Sequence, residues 1–400
     1  MTQPRLRTPL CDLLGIEYPI ILAGMGAGNE GGAAGPELVA AVSEAGGLGV
    51  LGGTGRNLEQ FHEACAHIRR LTKKPFGVDL LLPAGGALIG PRSSAGRDAA
   101  GRGIDQRYWD WANGTIQELG LQSPPERGLL ESQPAPDAPS AIEARPATET
   151  PYAYQDVQAR QIAAIVQEKP AVFAAGLGSP GPYVPALHAA GITVFGLVGN
   201  VKTARRVQAD GADVIVSQGH EAGGHTGRIG TFALTPQVVD AVSPTPVVLA
   251  GGVGSGRSVA AALALGAQAV WVGTLFLATP EANILPEHKQ HLISATEEDT
   301  RVTRVYSGKT ARSLHNPVIE SWERSGLPAL PMGAQGMVSG RVQAAARVSG
   351  RNDLMMQLGG QISGSIHELR PAHVVLEELV RETVEVLTAL AHTRVTFSMS

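Results

Sequence analysis

Eight short apolar runs recur along the chain, at residues 19–23, 48–51, 76–82, 171–175, 192–198, 213–217, 246–250 and 269–272. They read as near-continuous Val, Ile, Leu and Ala rather than as alternating apolar and polar positions. That pattern predicts strands buried on both faces, hence a parallel sheet under helices. Helical spacing fills most of the intervals. Pro36 at a first helical position, with Glu37 in the first turn, opens a helix that Gly46 closes. Residues 57–71, 201–209 and 257–265 predict further helices. A β-then-α rhythm repeated eight times points to an α/β fold, a (β/α)8 TIM barrel, with a doubly wound open sheet as the alternative.

Barrel ligand sites lie at the C-terminal ends of the strands. Gly24-Met25-Gly26, Gly52-Gly53, Ala175-Gly176, Gly251-Gly252 and Gly273-Thr274 all follow strand ends. So does the most pointed segment, Gln218-Gly219-His220-Glu221-Ala222-Gly223-Gly224-His225-Thr226-Gly227. Glycines there let the backbone press against a ligand, and a histidine of ordinary pKa about 6.5 exchanges protons near neutrality. A glycine-rich surface loop with a solvated histidine is the competing reading. Residues 26–31 spell G-x-G-x-x-G, but the second strand ends in Leu51-Gly52-Gly53-Thr54-Gly55-Arg56 without the acid that a dinucleotide ribose needs. Residues 250–257 fail the same test. Running from the seventh strand into a helix, and paired with Gly273-Thr274 after the eighth, they predict capture of a monophosphate by backbone N–H groups and a helix N-terminus. Helix capping by Ser255 is the plainer alternative.

Composition narrows the function classes. The 400 residues carry 43% hydrophobic content, a net charge of −4 and only two cysteines, Cys11 and Cys65. This balance provides no basic field for nucleic acid or anionic lipid, and no disulfide framework. No apolar run approaches the about 18 residues of a membrane span, and no signal-like start is present. A cytoplasmic location is expected.

Several segments resemble the nitronate monooxygenase (2-nitropropane dioxygenase) family, which is related to flavin-dependent enoyl-ACP reductases. They are residues 19–25, LVAAVSEAGGLGVLG from Leu38, PFGV before Asp79, QGHEAGGHTG from Gln218, PVVLAGGVGSGRSVAAALALGA from Pro246, VWVGTLFLAT from Val270, Gly308-Lys309-Thr310-Ala311-Arg312 with Asn316, and GGQISG from Gly359. The resemblance implies FMN as cofactor. Gly24 and Met25 would line the flavin ring and Gln218 would bond its polar edge, while Gly223 and Gly224 would approach the ring or ribityl chain. Gly251, Gly252, Gly273 and Thr274 would hold the phosphate, and His225 would face substrate. Asp79, also counted among the flavin contacts, stands where the family usually carries Asn. An ionised carboxylate cannot donate a hydrogen bond as an amide does.

The implied reaction is oxidation of alkyl nitronates with dioxygen, releasing nitrite, and the protein contributes orientation while the cofactor carries the electrons. An NAD(P)H-dependent FMN reductase acting on enoyl thioesters or quinones is the alternative, and a flavin-binding protein without turnover the remote one. A homodimer is compatible with either. Residues 1–83 and 154–279 are expected to form the FMN-binding barrel, and 280–400 a mostly helical lid with closing helices. Residues 84–153 form a Pro/Gly-rich insert, with a helix at 106–119, that either covers the flavin or is functionally silent. His220 reads as loop surface. Glu221 is either a loop brace or a general acid or base, and Arg312 and Lys309 either steer an anion or serve structure. Met332, Met337, Met355 and Met356 line a lid or pack in a core.

Overall fold

The computed structural model describes residues 5–26, 32–82, 103–124 and 154–394. Its strands, in chain order, are β1 (Ile20–Leu22), β2 (Gly49–Gly52), β3 (Phe76–Leu81), β4 (Val172–Gly176), β5 (Thr193–Val198), β6 (Val214–Gln218), β7 (Gly224–His225), β8 (Val247–Ala250), β9 (Ala269–Val272), β10 (Thr300–Thr303) and β11 (Ala311–Leu314). Every one of the eight apolar runs holds a strand. Those eight pair in parallel in the order β1-β9-β8-β6-β5-β4-β3-β2. A parallel bridge between Ile21 and Leu48 joins the two ends, so the sheet closes as a TIM-type barrel and the open-sheet alternative falls away.

Alternation along each strand divides the apolar residues between two cores. In β3, Phe76, Val78 and Leu80 face the helical layer. Asp79 shares its side with its register partners Gly52 and Ala174, and Ala174 packs inside the barrel. Ile21, Val50, Phe195, Val216, Val248 and Trp271 fill that interior. The N-terminal helix Pro9–Leu14 seals the bottom, contributing Leu10, Cys11 and Leu14 to the interior cluster. Thr8 anchors it by donating to Gln268 O, just before β9.

The outer helices begin where their caps predict. Asn57 accepts from Gln60 N–H and closes a capping box at the start of Leu58–Leu71, and Asn200 caps Val201–Ala209. The long C-terminal helix Ala372–Ala389 returns to this layer and packs along Gly256–Ala264 and Pro36–Glu44.

In residues 280–367 a small sheet accompanies the helices. Helices Pro286–Ser294, Pro317–Ser325 and Ala334–Val348 form, but β10 and β11 lie between them and pair antiparallel with each other and with β7. Strands of four residues are too short to show a period, and β7 gains its partner from 86 residues further on in register, His225 with Ala311. A separate small core joins this region to the insert helix Gln106–Glu118: Tyr108, Trp111 and Ile116 pack with Tyr306, Trp322 and Val342. Met355 and Met356 pack against it. The rest of the insert, 84–102 and 125–153, lies outside the described residues, as does the covering role considered for it. No helix among the described residues is long and apolar enough to cross a membrane.

Candidate active site

The residues singled out at strand ends meet around the C-terminal mouth of the barrel. Gly24, after β1, touches Asp79 of β3 so closely that a Cβ built on Gly24 would stand 2.1 Å from that of Asp79. Glycine is therefore required at 24 by the protein itself. Asp79 is 7% exposed, and its Oδ1 has no hydrogen-bond partner among the described residues. Burial without a counter-charge pushes its pKa up to about 8. On the other side, a Cβ on Gly273 would lie 3.5 Å from Ala23 Cβ and 3.6 Å from Met25 Sδ, in ordinary contact. Thr274 then accepts from Gly360 N–H at 2.9 Å. The same turn reaches the 218–227 loop, where Gln361 N–H donates to Glu221 O and Gly223 lies against Gly359 and Gly360. Ala222 abuts Gly251, whose φ of +94° suits glycine alone. Six segments remote in sequence thus form one rim.

Within the 218–227 loop, side chains bond to backbone. Gln218 donates its amide to His225 O at 2.5 Å, His220 Nδ1 lies 2.8 Å from Gly227 O, and Thr226 donates to Gly219 O. Glu221 accepts from both the N–H and the hydroxyl of Thr231, at the start of helix Thr231–Val242. That contact matches the brace reading. Arg312 is 4% exposed and donates to His220 O and to Thr300 Oγ1. Its guanidinium serves the loop from beneath rather than facing solvent.

His225 Nε2 lies 3.0 Å from Ser307 Oγ. Burial, and then the charge of Lys309, push its pKa below the ordinary 6.5. The neutral ring is favoured, which suits a proton acceptor better than a cationic anion holder. If Ser307 donates to Nε2, Nδ1 carries the proton; if Nε2–H donates, Nδ1 keeps its lone pair. Ser307 escaped the sequence reading. The adjoining Gly308-Lys309-Thr310-Ala311-Arg312 motif was its only signal.

The expected phosphate loop is changed in one respect. Gly256 N–H donates to Glu382 Oε2 at 2.6 Å, and Gly254 and Ser255 N–H donate to Ser258 Oγ at 3.1 Å. The N-terminus of helix Gly256–Ala264 is occupied by the protein's own groups, one of them a carboxylate that repels an anion. Glu382 comes from the C-terminal helix, 126 residues away, which local reading could not reveal. Gly251, Gly252, Gly273 and Thr274 remain at the rim. The Thr274 hydroxyl, while accepting from Gly360, keeps its hydrogen for donation.

The nitronate monooxygenase family profile matches residues 7–94 and 129–382. The chain belongs to this family. As a nitronate monooxygenase family member it is a flavin-dependent oxidoreductase. One relative, from Mycobacterium tuberculosis and named "Putative monooxygenase Rv1533", is 35% identical over 397 residues, covering 96% of this chain and 98% of its own. The "Probable nitronate monooxygenase" of Staphylococcus aureus strain Newman is 29% identical over 391 residues, covering 94% and 98%. Among solved structures, nitroalkane oxidase from Streptomyces ansochromogenes aligns with a TM-score of 0.75 at 29% identity, over 95% of this chain and 99% of that one. FabK from Thermotoga maritima aligns with a TM-score of 0.70 at 29% identity, over 96% and 99%. The mouth suits a flavin on its own evidence. Among the described residues it offers an unpartnered buried polar oxygen at Asp79 and, at Gly273, a backbone whose lack of a side chain no neighbouring protein atom demands.

Proposed function

We propose that this nitronate monooxygenase family member binds FMN across the barrel mouth and oxidises alkyl nitronates with dioxygen. Gly273 carries the reading. Its φ of −108° and its ordinary contacts would accept a methyl group, so close approach of a ligand is the reason left for glycine there. FMN rather than FAD is favoured because no acid follows β2 to hold an adenosine ribose. Gly251, Gly252, Gly273 and Thr274 hold the phosphate through backbone N–H groups and the Thr274 hydroxyl. Gly24, Met25, Asp79 and Gln218 border the ring, and Gly223 and Gly224 approach the ring or ribityl chain. Bound flavin supplies the electron acceptor for the nitronate and passes electrons on to dioxygen.

His225 acts on the substrate. Its neutral imidazole takes the α-proton of a nitroalkane, leaving the nitronate anion, and hydrogen-bonds a nitronate supplied ready-made. Ser307 orients the ring. Two buried free thiols, Cys11 and Cys65, support a cytoplasmic setting.

The likeness to FabK favours a second reading, an NAD(P)H-dependent reductase of enoyl thioesters or quinones. Anaerobic mixing of the purified protein with propyl-2-nitronate, NADH and NADPH separates the two. Bleaching of the flavin spectrum by nitronate alone is expected; bleaching at catalytic rates by a nicotinamide, and none by nitronate, would establish the reductase instead. Cofactor released by heat should be FMN, and finding FAD would overturn the assignment.

A further inference from the structure

Asp79 is an unusual group to find at the mouth. It is an aspartate on the inner side of β3, above the apolar filling of the barrel, with 7% of its surface exposed. Every element packed against it among the described residues contributes uncharged groups. Gly24 follows β1, Gly52 and Gly53 come from β2, and Ala174 from β4. Among the described residues no cation faces it, and burial is the only cause of its shifted titration. A charged carboxylate so enclosed would carry an uncompensated desolvation cost, whereas a protonated one has a hydrogen to give. Among the described residues Oδ1 has no protein partner to receive or supply it. What the fold lacks at this point is an acceptor arriving from the mouth.

We propose that Asp79 meets the bound flavin as a neutral carboxylic acid, donating its O–H to an acceptor on the ring edge, so that loss of this proton weakens flavin binding. The inference rests on the flavin lying at the mouth as proposed above. It removes the conflict that an ionised carboxylate presents at a position calling for a donor. It also makes the holoenzyme sensitive to alkali at one identified atom: flavin binding above the titration of Asp79 must be accompanied by proton uptake.

The test is flavin affinity as a function of pH. Apoprotein is titrated with FMN by flavin fluorescence from pH 6.5 to 9.5, for the unmodified protein, Asp79→Asn and Asp79→Leu. Subtracting the Asn profile removes the ligand's own titrations. The unmodified protein should hold FMN steadily at the lower end, then lose affinity by up to about tenfold per pH unit above the pKa of Asp79, as expected for linkage to one proton. Asp79→Asn, which keeps a donor, should bind with no such fall. Asp79→Leu, which has none, should bind roughly tenfold more weakly at the lower end of the range, the loss of about one hydrogen bond. Independently, the infrared spectrum of the FMN complex at pH 7 should show a protonated-carboxyl C=O stretch that Asp79→Asn abolishes. Parallel pH profiles for the unmodified and Asn proteins, or absence of that band, would overturn the role of Asp79 while leaving the flavin site standing. Failure of all three proteins to bind FMN would overturn the flavin reading and this inference together.

Discussion

Gly273 and His225 carry opposite kinds of chemical information, one by lacking a side chain and the other by its proton. Gly273→Ala adds a methyl that the surrounding protein accommodates at ordinary contact distances. Thermal stability should therefore stay unchanged while FMN affinity falls by roughly tenfold or more, the scale of one displaced phosphate hydrogen bond. Comparing Tm with a flavin titration checks this, and full affinity would displace the phosphate from Gly273. Gly252 is a poorer probe, because its φ of +78° strains any replacement whether or not a ligand approaches. For His225→Asn, turnover of a neutral nitroalkane should drop by about 10²–10⁴-fold, as on losing a general base, and turnover of preformed nitronate should drop less. Equal losses would show that His225 only holds the anion. Lys309→Met removes a charge that depresses the His225 pKa. The acid limb of kcat/KM for the nitroalkane should then move to higher pH, and an unmoved limb would exclude His225 as the titrating base.

At the scale of elements, the small sheet of β7, β10 and β11 carries the end of the 218–227 loop, and Arg312 fastens that loop from within. Replacing Arg312 with Met leaves His220 O without its guanidinium donors, a cost of about 1–3 kcal/mol for a desolvated carbonyl. Amide exchange across residues 219–225 should accelerate and kcat should fall, while the barrel strands keep their protection. Uniform acceleration through β8 and β9 would mean that Arg312 supports the whole fold instead. The eight barrel strands were legible because each lies in a buried, near-continuous apolar run. This second sheet was not, since β7 has two residues and its partner is far along the chain.

For the whole molecule, Asp79 couples stability to pH. Its pKa in the folded apoprotein is about 8, raised from an ordinary value near 4, so the folded state holds a proton that the unfolded chain has lost between those limits. The stabilising contribution is complete below about pH 4 and declines as pH rises towards 8, then levels off. Apoprotein unfolding followed by urea denaturation should show this decline, and Asp79→Asn should flatten it between pH 5 and 8. Indistinguishable slopes would mean that Asp79 titrates normally.

Local pattern was enough for the barrel and for the ring of candidate residues. Strand burial is written as continuous apolar runs, and parallel strands put their following loops on one face, so Gly24, Gln218, Gly251 and Gly273 could be gathered by counting, whereas Asp79, inside the third run, entered only through the family resemblance. The tertiary structure alone decided what each of these residues faces. Glu382 reaches the N-terminus of helix Gly256–Ala264, Gly360 meets Thr274, and Ser307 meets His225, across separations of 126, 86 and 82 residues. It also left Asp79 without a counter-charge among the described residues. Such contacts depend on where distant segments come to rest, and the ionisation of a buried group depends on everything around it, which no stretch of chain specifies by itself.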